Sequence, residues 1–277
     1  MRRVVFNQKG GVGKSSIVAN LAAISAAKGL KTLVIDLDPQ CNSSHYLTGN
    51  QFSEFESDIS DFFKQLLSFK LRAQPIEELV YETTYENLYI IPSSPALGEI
   101  QAQLESKHKI YKFREALIAL DRIYDVIYVD TPPAFNFFTL SALIAAERCL
   151  IPFDCDEFSR QALYTLMDNV EETRNDHNAA LMVEGIIVNQ YQPRASFPQR
   201  IVEELIAEGL PLLQPYLSSS VKMRESHDAG VPLIHFVPKH KLTAEFEALF
   251  STLHPRYGSI QNNIEVGAKE STTAELA

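Results

Sequence analysis

Cysteine is scarce in this 277-residue chain, with only Cys41, Cys149 and Cys155. None forms a CxxC pair, and an odd count without metal-ligand spacing excludes a disulfide framework, a zinc site and an iron–sulfur site. A reducing, cytoplasmic compartment is the expectation that follows. Long hydrophobic runs are missing too: no stretch holds about eighteen consecutive apolar residues. Met1-Arg2-Arg3 passes at once into Val4-Val5-Phe6-Asn7, which lacks the apolar length of a signal segment, so spanning and secreted readings are set aside. Positive charge is in deficit, with 25 Lys and Arg against 35 Asp and Glu, a net charge of -10 and a pI near 5.2. That excludes a protein coated in basic surface, and any nucleic-acid contact must come from a local patch. There is no internal repeat, and the segment after Tyr257, rich in Ser, Thr, Asn and Gly, is expected to be a disordered tail.

What is present is 45% hydrophobic content, enough for a sizeable core. Strand candidates lie at residues 3–7, 31–36, 88–92, 126–130, 148–152 and 182–189, and several are apolar throughout, as strands covered on both faces are. The first two are separated by about one helix, which is the βαβ rhythm. The expected fold class is α/β, a mostly parallel twisted sheet with helices on both faces and its ligand beyond the strands' carboxyl ends. No linker splits the chain, so residues 1–256 are expected to form one domain, with the tail over 257–277. The polar and aromatic stretch from Gln51 to Asn87 is expected to form helices.

After the first strand comes Asn7-Gln8-Lys9-Gly10-Gly11-Val12-Gly13-Lys14-Ser15-Ser16, then a helical pattern from Ile17 to Lys28 closed by Gly29. Strand, glycine loop and helix are the required context for a phosphate cradle. Glycines let backbone N–H groups turn toward a phosphate, and the helix N-terminus adds positive potential. Gly10 to Ser16 would hold a nucleotide, with Lys14 reaching the β- and γ-phosphates and the Ser15 hydroxyl ligating Mg²⁺. The next strand ends in Asp36-Leu37-Asp38-Pro39-Gln40, carboxylates at i and i+2 that a strand aims to one side. Val126-Ile127-Tyr128-Val129-Asp130 is an apolar strand ending in an acid that can hold a Mg²⁺-bound water, before Thr131-Pro132-Pro133.

The loop departs from the general phosphate-loop pattern, because position 8 is Gln where that pattern begins with Gly. Its K-G-G-x-G-K-S form resembles the deviant motif of the ParA/MinD ATPases, a P-loop NTPase family. The resemblance implies that Lys9 is the signature lysine that reaches the other subunit's phosphates in an ATP-bound sandwich dimer. Asp36 to Gln40 looks like the family's DxDPQ, which makes Asp38 the residue positioning the attacking water and Asp36 a support of the Mg²⁺ environment. Asp130-Thr131-Pro132-Pro133 is similar to the D-x-P-P switch. Asn189 matches a position contacting adenine, and Val237-Pro238 lies where the family closes over the base.

Similarity covers roughly residues 3 to 250, including Ser220-Val221-Lys222-Met223-Arg224-Glu225-Ser226-His227-Asp228-Ala229-Gly230-Val231-Pro232, which resembles N-V-R-L-x-E-A-P-x-x-G-x-P. The loop starts too early for the helix-turn-helix extension of larger relatives, so operator-specific repression is not expected. In shorter relatives basic residues late in the chain bind nucleoid DNA without sequence preference. The matching positions here are Arg194 and Lys222, with Arg224 and Arg200 as neighbours. One customary arginine is missing, since Ser218-Ser219-Ser220-Val221-Lys222 stands where the family often writes Pro-Arg-Asn-Val-Arg. The resemblance implies a slow ATPase using ATP and Mg²⁺, reset by a ParB-like or cargo-adaptor protein, that positions DNA or a protein cargo. No basic amphipathic tail helix of the kind that anchors MinD to a membrane is visible. The alternative is an ATP-dependent synthetase on the same fold, related to dethiobiotin or cobyrinic acid synthases.

Overall fold

Buried strands reveal themselves by carrying apolar side chains toward both faces, and here each central strand does so in a computed structural model that describes residues 1–68, 74–156 and 159–255. The chain begins with β1 (Arg2–Val5), α1 (Lys14–Ala27), β2 (Thr32–Asp36), α2 (Asn42–Thr48) and α3 (Ile59–Leu67). It continues through β3 (Tyr81–Glu82), β4 (Leu88–Ile91), α4 (Ala96–Ser106), α5 (Lys112–Leu120), β5 (Val126–Asp130), α6 (Phe137–Ala145) and β6 (Arg148–Asp154). After α7 (Ser159–Asp176) come β7 (Met182–Asn189), α8 (Ser196–Ala207), β8 (Leu212–Leu213), α9 (Val221–Ala229), α10 (Leu233–Phe236) and α11 (Lys241–Leu253). The sheet runs in the order β3-β4-β2-β5-β1-β6-β7-β8. Every pairing is parallel except β3 with β4.

The period of two decides which face each residue serves. Val4, Ile35, Val129 and Ile151 join the core beneath α3 to α8, while Val5, Val34, Tyr128 and Leu150 join the core beneath α1, α2, α10 and α11. The six strands expected from the sequence are all present. The edge strands β3 and β8 were not foreseen, because two residues carry no alternation to read; β3 lies within the stretch expected to be helical. The expected tail falls outside the described residues.

Helix α1 fixes the loop before it. Ile17, Val18, Leu21 and Ile24 are wholly buried, a gross burial of about 6–12 kcal/mol at about 1.5–3 kcal/mol for each side chain. The helix ends in a Schellman turn, with the Leu30 N–H donating to Ser25 O (3.0 Å), the Gly29 N–H donating to Ala26 O (2.9 Å), and Gly29 at φ +87°. Its N-terminus therefore sits at a set place beyond the carboxyl end of β1, between β5 and β6, where parallel sheets receive ligands.

Candidate functional site

The loop from β1 to α1 is tied down on both sides. Asn7 donates from Nδ2 to Pro152 O (2.6 Å) and accepts the Lys9 N–H at Oδ1 (2.8 Å). The Lys14 ammonium reaches back to Lys9 O at 3.0 Å. Lys14 is buried, and that burial lowers its pKa against the pull of Asp130 and Asp38. Gly13 has φ +90°, a conformation that suits glycine, and a Cβ there would lie 2.2 Å from Asn189 Nδ2. That amide donates to Val12 O at 2.9 Å, and Gln190 Nε2 donates to Gly11 O at 3.1 Å.

Two cavities flank the loop. One of about 600 Å³ is lined by Gly11, Gly13, Ser16, Asn189, Arg224 and His227 among others. The second, of about 370 Å³, gathers Lys14, Ser15, Asp38, Gln40, Pro133 and the loop glycines. Ser16 and His227 face both. Lys14, Ser15 and Asp38, the residues expected to serve phosphate, metal and water, thus line one space. Asp38 is buried and accepts the Gln40 N–H at 3.0 Å. Burial pushes its pKa up, opposed by that hydrogen bond and by Lys14.

Behind the second cavity, Asp36 and Asp130 stand side by side, register partners on β2 and β5 and both fully buried. Both point toward α1, since their strand neighbours Ile35 and Val129 face the other core. Asp36 is wholly engaged within the protein. Its Oδ1 accepts the Asp38 N–H at 3.0 Å, and its Oδ2 accepts the Ser44 N–H and hydroxyl at 2.9 and 2.7 Å. The two carboxylates at i and i+2 therefore do not both face the phosphate space, because α2 and its Ser44 claim the first. Asp130 accepts the Ser43 hydroxyl on Oδ2 at 2.6 Å, but Oδ1 is buried without a hydrogen-bond partner. Burial raises both carboxyls, Asp36 further because of the Asp130 charge, while the nearby Ser15 and Ser43 hydroxyls draw Asp130 back.

That arrangement fits a divalent cation. An orphaned buried carboxylate oxygen beside a hydroxyl offers hard oxygen donors of the kind Mg²⁺ takes, and two desolvated acids lack the positive charge it would bring.

Of the other expected site residues, Val12 is buried and offers its backbone, while Pro238 is absent from both cavities, where Leu242 lines the larger one instead. Lys9 forms an ion pair with Asp156 in the loop after β6. Arg194 lines a third cavity of about 450 Å³ with Ser218 to Ser220 and Lys241. Lys222 is paired with Glu225 at 2.6 Å, and Arg200 lies 3.8 Å from Glu204 and over Phe197. The structure therefore places Arg194 and Lys241 on the walls of one cavity, Lys241 paired with Glu245 at 3.3 Å, and sets Arg224 at the larger phosphate-loop cavity. Ser43, Ser44, His227 and Lys241 were missed by sequence reasoning. The serine pair just after Gln40 and the Lys239-His240-Lys241 run were the signals available.

Comparison with known proteins bears on the family and the fold. A family model described as an AAA domain matches residues 3–183. The chromosome partitioning protein ParA of Myxococcus xanthus is 30% identical over 254 residues, covering 91% of this chain and 87% of that protein. Among solved structures, apo McdA from Cyanothece superposes with a TM-score of 0.78 at 20% identity, covering 91% of this chain and 98% of that one. Cobyrinic acid a,c-diamide synthase from Mycobacterium smegmatis with bound ADP and magnesium gives 0.77 at 22%, covering 93% and 95%. At such identities the two structures speak for the fold alone.

Proposed function

The chain belongs to the ParA/MinD family of ATPases, and on that premise we propose that it is a nucleotide-driven positioning switch. ATP and Mg²⁺ assemble a sandwich homodimer that binds nucleoid DNA without sequence preference, and a ParB-like or cargo-adaptor protein stimulates hydrolysis and release. The observation that carries this reading is the convergence of Lys14, Ser15 and Asp38 on one cavity with the unpartnered Asp130 oxygen behind it. Phosphoryl transfer asks a protein for little beyond such positioning and charge.

Lys14 neutralises the β- and γ-phosphates, and the loop N–H groups with the N-terminus of α1 hold their oxygens. Ser15 and Asp130 would hold Mg²⁺, which would supply Lewis-acid neutralisation of charge on the phosphate oxygens. Asp38 orients the attacking water, held in place by the Gln40 N–H. Lys9 delivers a cation in trans, as an arginine finger does, once it leaves Asp156. Arg194, Lys222 and Lys241, doubled in a dimer, supply phosphate contacts that need charge and no base readout. The synthetase alternative rests on fold likeness only. No helix of the described residues is long and apolar enough to cross a membrane.

The test is ATPase rate measured beside DNA co-sedimentation, at stated salt, for the native protein and Asp38→Ala with ATP, ADP or no nucleotide. The variant should hold ATP and bind DNA more strongly than the native protein. Rapid turnover by Asp38→Ala removes the role given to it, and absence of DNA binding under every nucleotide defeats the positioning reading.

A further inference from the structure

Helix α9 carries Lys222 and Arg224, yet Ser226 is its one buried residue. A helix with so little burial is held by a few specific contacts. Two of them lead straight to the nucleotide machinery. The His227 Nε2 lies 2.7 Å from the hydroxyl of Ser16, and Ser226 Oγ lies 2.5 Å from the hydroxyl of Tyr46 on α2, the helix that follows Asp38. The His227 ring also stacks on Tyr46, with centroids 3.8 Å apart and 21° between planes. His227 faces both cavities beside the loop. Proline, which the motif resembled by this segment carries at the position, could make neither the bond nor the stack.

We propose that His227 is a positioning residue for the nucleotide: through Ser16 it aims a hydroxyl at the bound phosphate, and through its own helix it makes the seating of α9 depend on nucleotide occupancy. With a phosphate in the loop, the Nε2–H donates to Ser16 Oγ and the Ser16 O–H donates to a phosphate oxygen, a chain in which each bond polarises the next. Burial lowers the His227 pKa, which suits a neutral ring with one donor and one acceptor nitrogen. The Tyr46 stack holds the ring plane while the hydroxyl is handed over. Because the two events share one residue, coupling must be reciprocal: whatever seats α9 also tightens nucleotide. That the same seating would set the DNA-facing cations Lys222 and Arg224 of α9 rests on the positioning reading above, but the coupling itself does not.

The experiment is amide hydrogen exchange over residues 221–229, with and without a slowly hydrolysed ATP analogue and Mg²⁺, beside titration of a fluorescent ATP analogue. The native protein, His227→Phe and His227→Gln are compared. Phenylalanine keeps the stack and loses the hydrogen bond, whereas glutamine places an N–H near the Nε2 position. Nucleotide should protect the α9 amides of the native protein. His227→Phe should lose that protection and about three- to tenfold in nucleotide affinity, the effect of one hydrogen bond, and His227→Gln should recover most of both. Ser16→Ala, which breaks the same bond while leaving the ring on Tyr46, should also abolish the protection. Exchange in native α9 that ignores nucleotide overturns the proposal, as does His227→Phe retaining either the protection or the affinity. Nucleotide-dependent protection of α9 in a protein that never binds DNA would overturn the positioning reading and leave the role of His227 standing.

Discussion

Substituting Gly13 by alanine perturbs the phosphate loop by an amount the structure lets us divide into parts. The backbone at φ +90° costs an L-residue about 1–2 kcal/mol. The added methyl would lie 2.2 Å from the Asn189 amide nitrogen, the far end of a side chain that can swing away, but only by giving up its 2.9 Å hydrogen bond to Val12 O. That bond is worth about 1 kcal/mol. Gly13→Ala should therefore cost about 2–3 kcal/mol, and Asn189→Ala about 1 kcal/mol. In the double variant the methyl meets no amide and the bond is counted once, so the pair should fall about 1 kcal/mol short of the sum of the singles. Urea unfolding of the four proteins measures this, and nucleotide titration reads the same distortion at the binding site. Strict additivity would refute the contact between the two residues, and a fully stable Gly13→Ala would refute the left-handed backbone itself.

Lys14→Ala should lose at least about tenfold in nucleotide affinity, the effect of removing a charged hydrogen-bond partner of the phosphates. Lys9→Ala should bind within about twofold of native and hydrolyse more slowly; equal affinity losses in a fluorescent-nucleotide titration would erase the division of labour. Asp36, Asp38 and Asp130 are all raised by burial, so each binds its proton more tightly when folded, and the metal-free chain loses stability as pH climbs from about 4 through the raised values. Asp130→Asn should flatten that loss and raise the melting temperature in EDTA at neutral pH by roughly 2–4 °C, for about 1 kcal/mol; a lower melting point would contradict the strain assigned to the acid pair. Arg194→Glu and Lys222→Glu should each weaken DNA binding and reduce the salt slope by about 0.9 for every DNA phosphate left without its cation, and unchanged affinity in both would dismiss the patch.

The six long strands were legible because burial on both faces writes continuous apolar runs such as Leu33-Val34-Ile35 and Val126-Ile127-Tyr128. The loop was legible because glycine and lysine spacing is a local requirement of phosphate binding. What stayed hidden depends on distance in the chain. Nothing near Gly13 announces that Asn189 lies against it, and nothing near Asp130 announces that Ser43 takes one of its oxygens. Asp36 and Asp38 also looked aimed to one side by their i and i+2 spacing, but Ser44 on α2 and the Asp38 N–H take both oxygens of Asp36. His227 was passed over for the same reason, since its meaning comes from Ser16, on another element 211 positions away.

Buried charge at the two ends of β1 shows how a structural network differs from a site built to take a ligand. At the amino end, Arg3 is 1% exposed and its guanidinium is filled from within: Glu184 accepts at 2.6 and 2.8 Å, Leu253 O accepts at 2.8 Å, and His254 lies at 2.7 Å. Such a set is complete, and its role is to lock β1, β7 and the end of α11 together; removing one partner would leave an uncompensated buried charge. At the carboxyl end the set is incomplete. Lys14 has one carbonyl, and Asp130 is the single carboxylate among the described residues with a buried oxygen lacking any partner. Buried polar groups are ordinarily satisfied, and the proposed cation and phosphate would fill this imbalance. The desolvation of the acids and the lysine is offset when nucleotide and metal bind, and ligand binding should stabilise this fold more at that end than anywhere else.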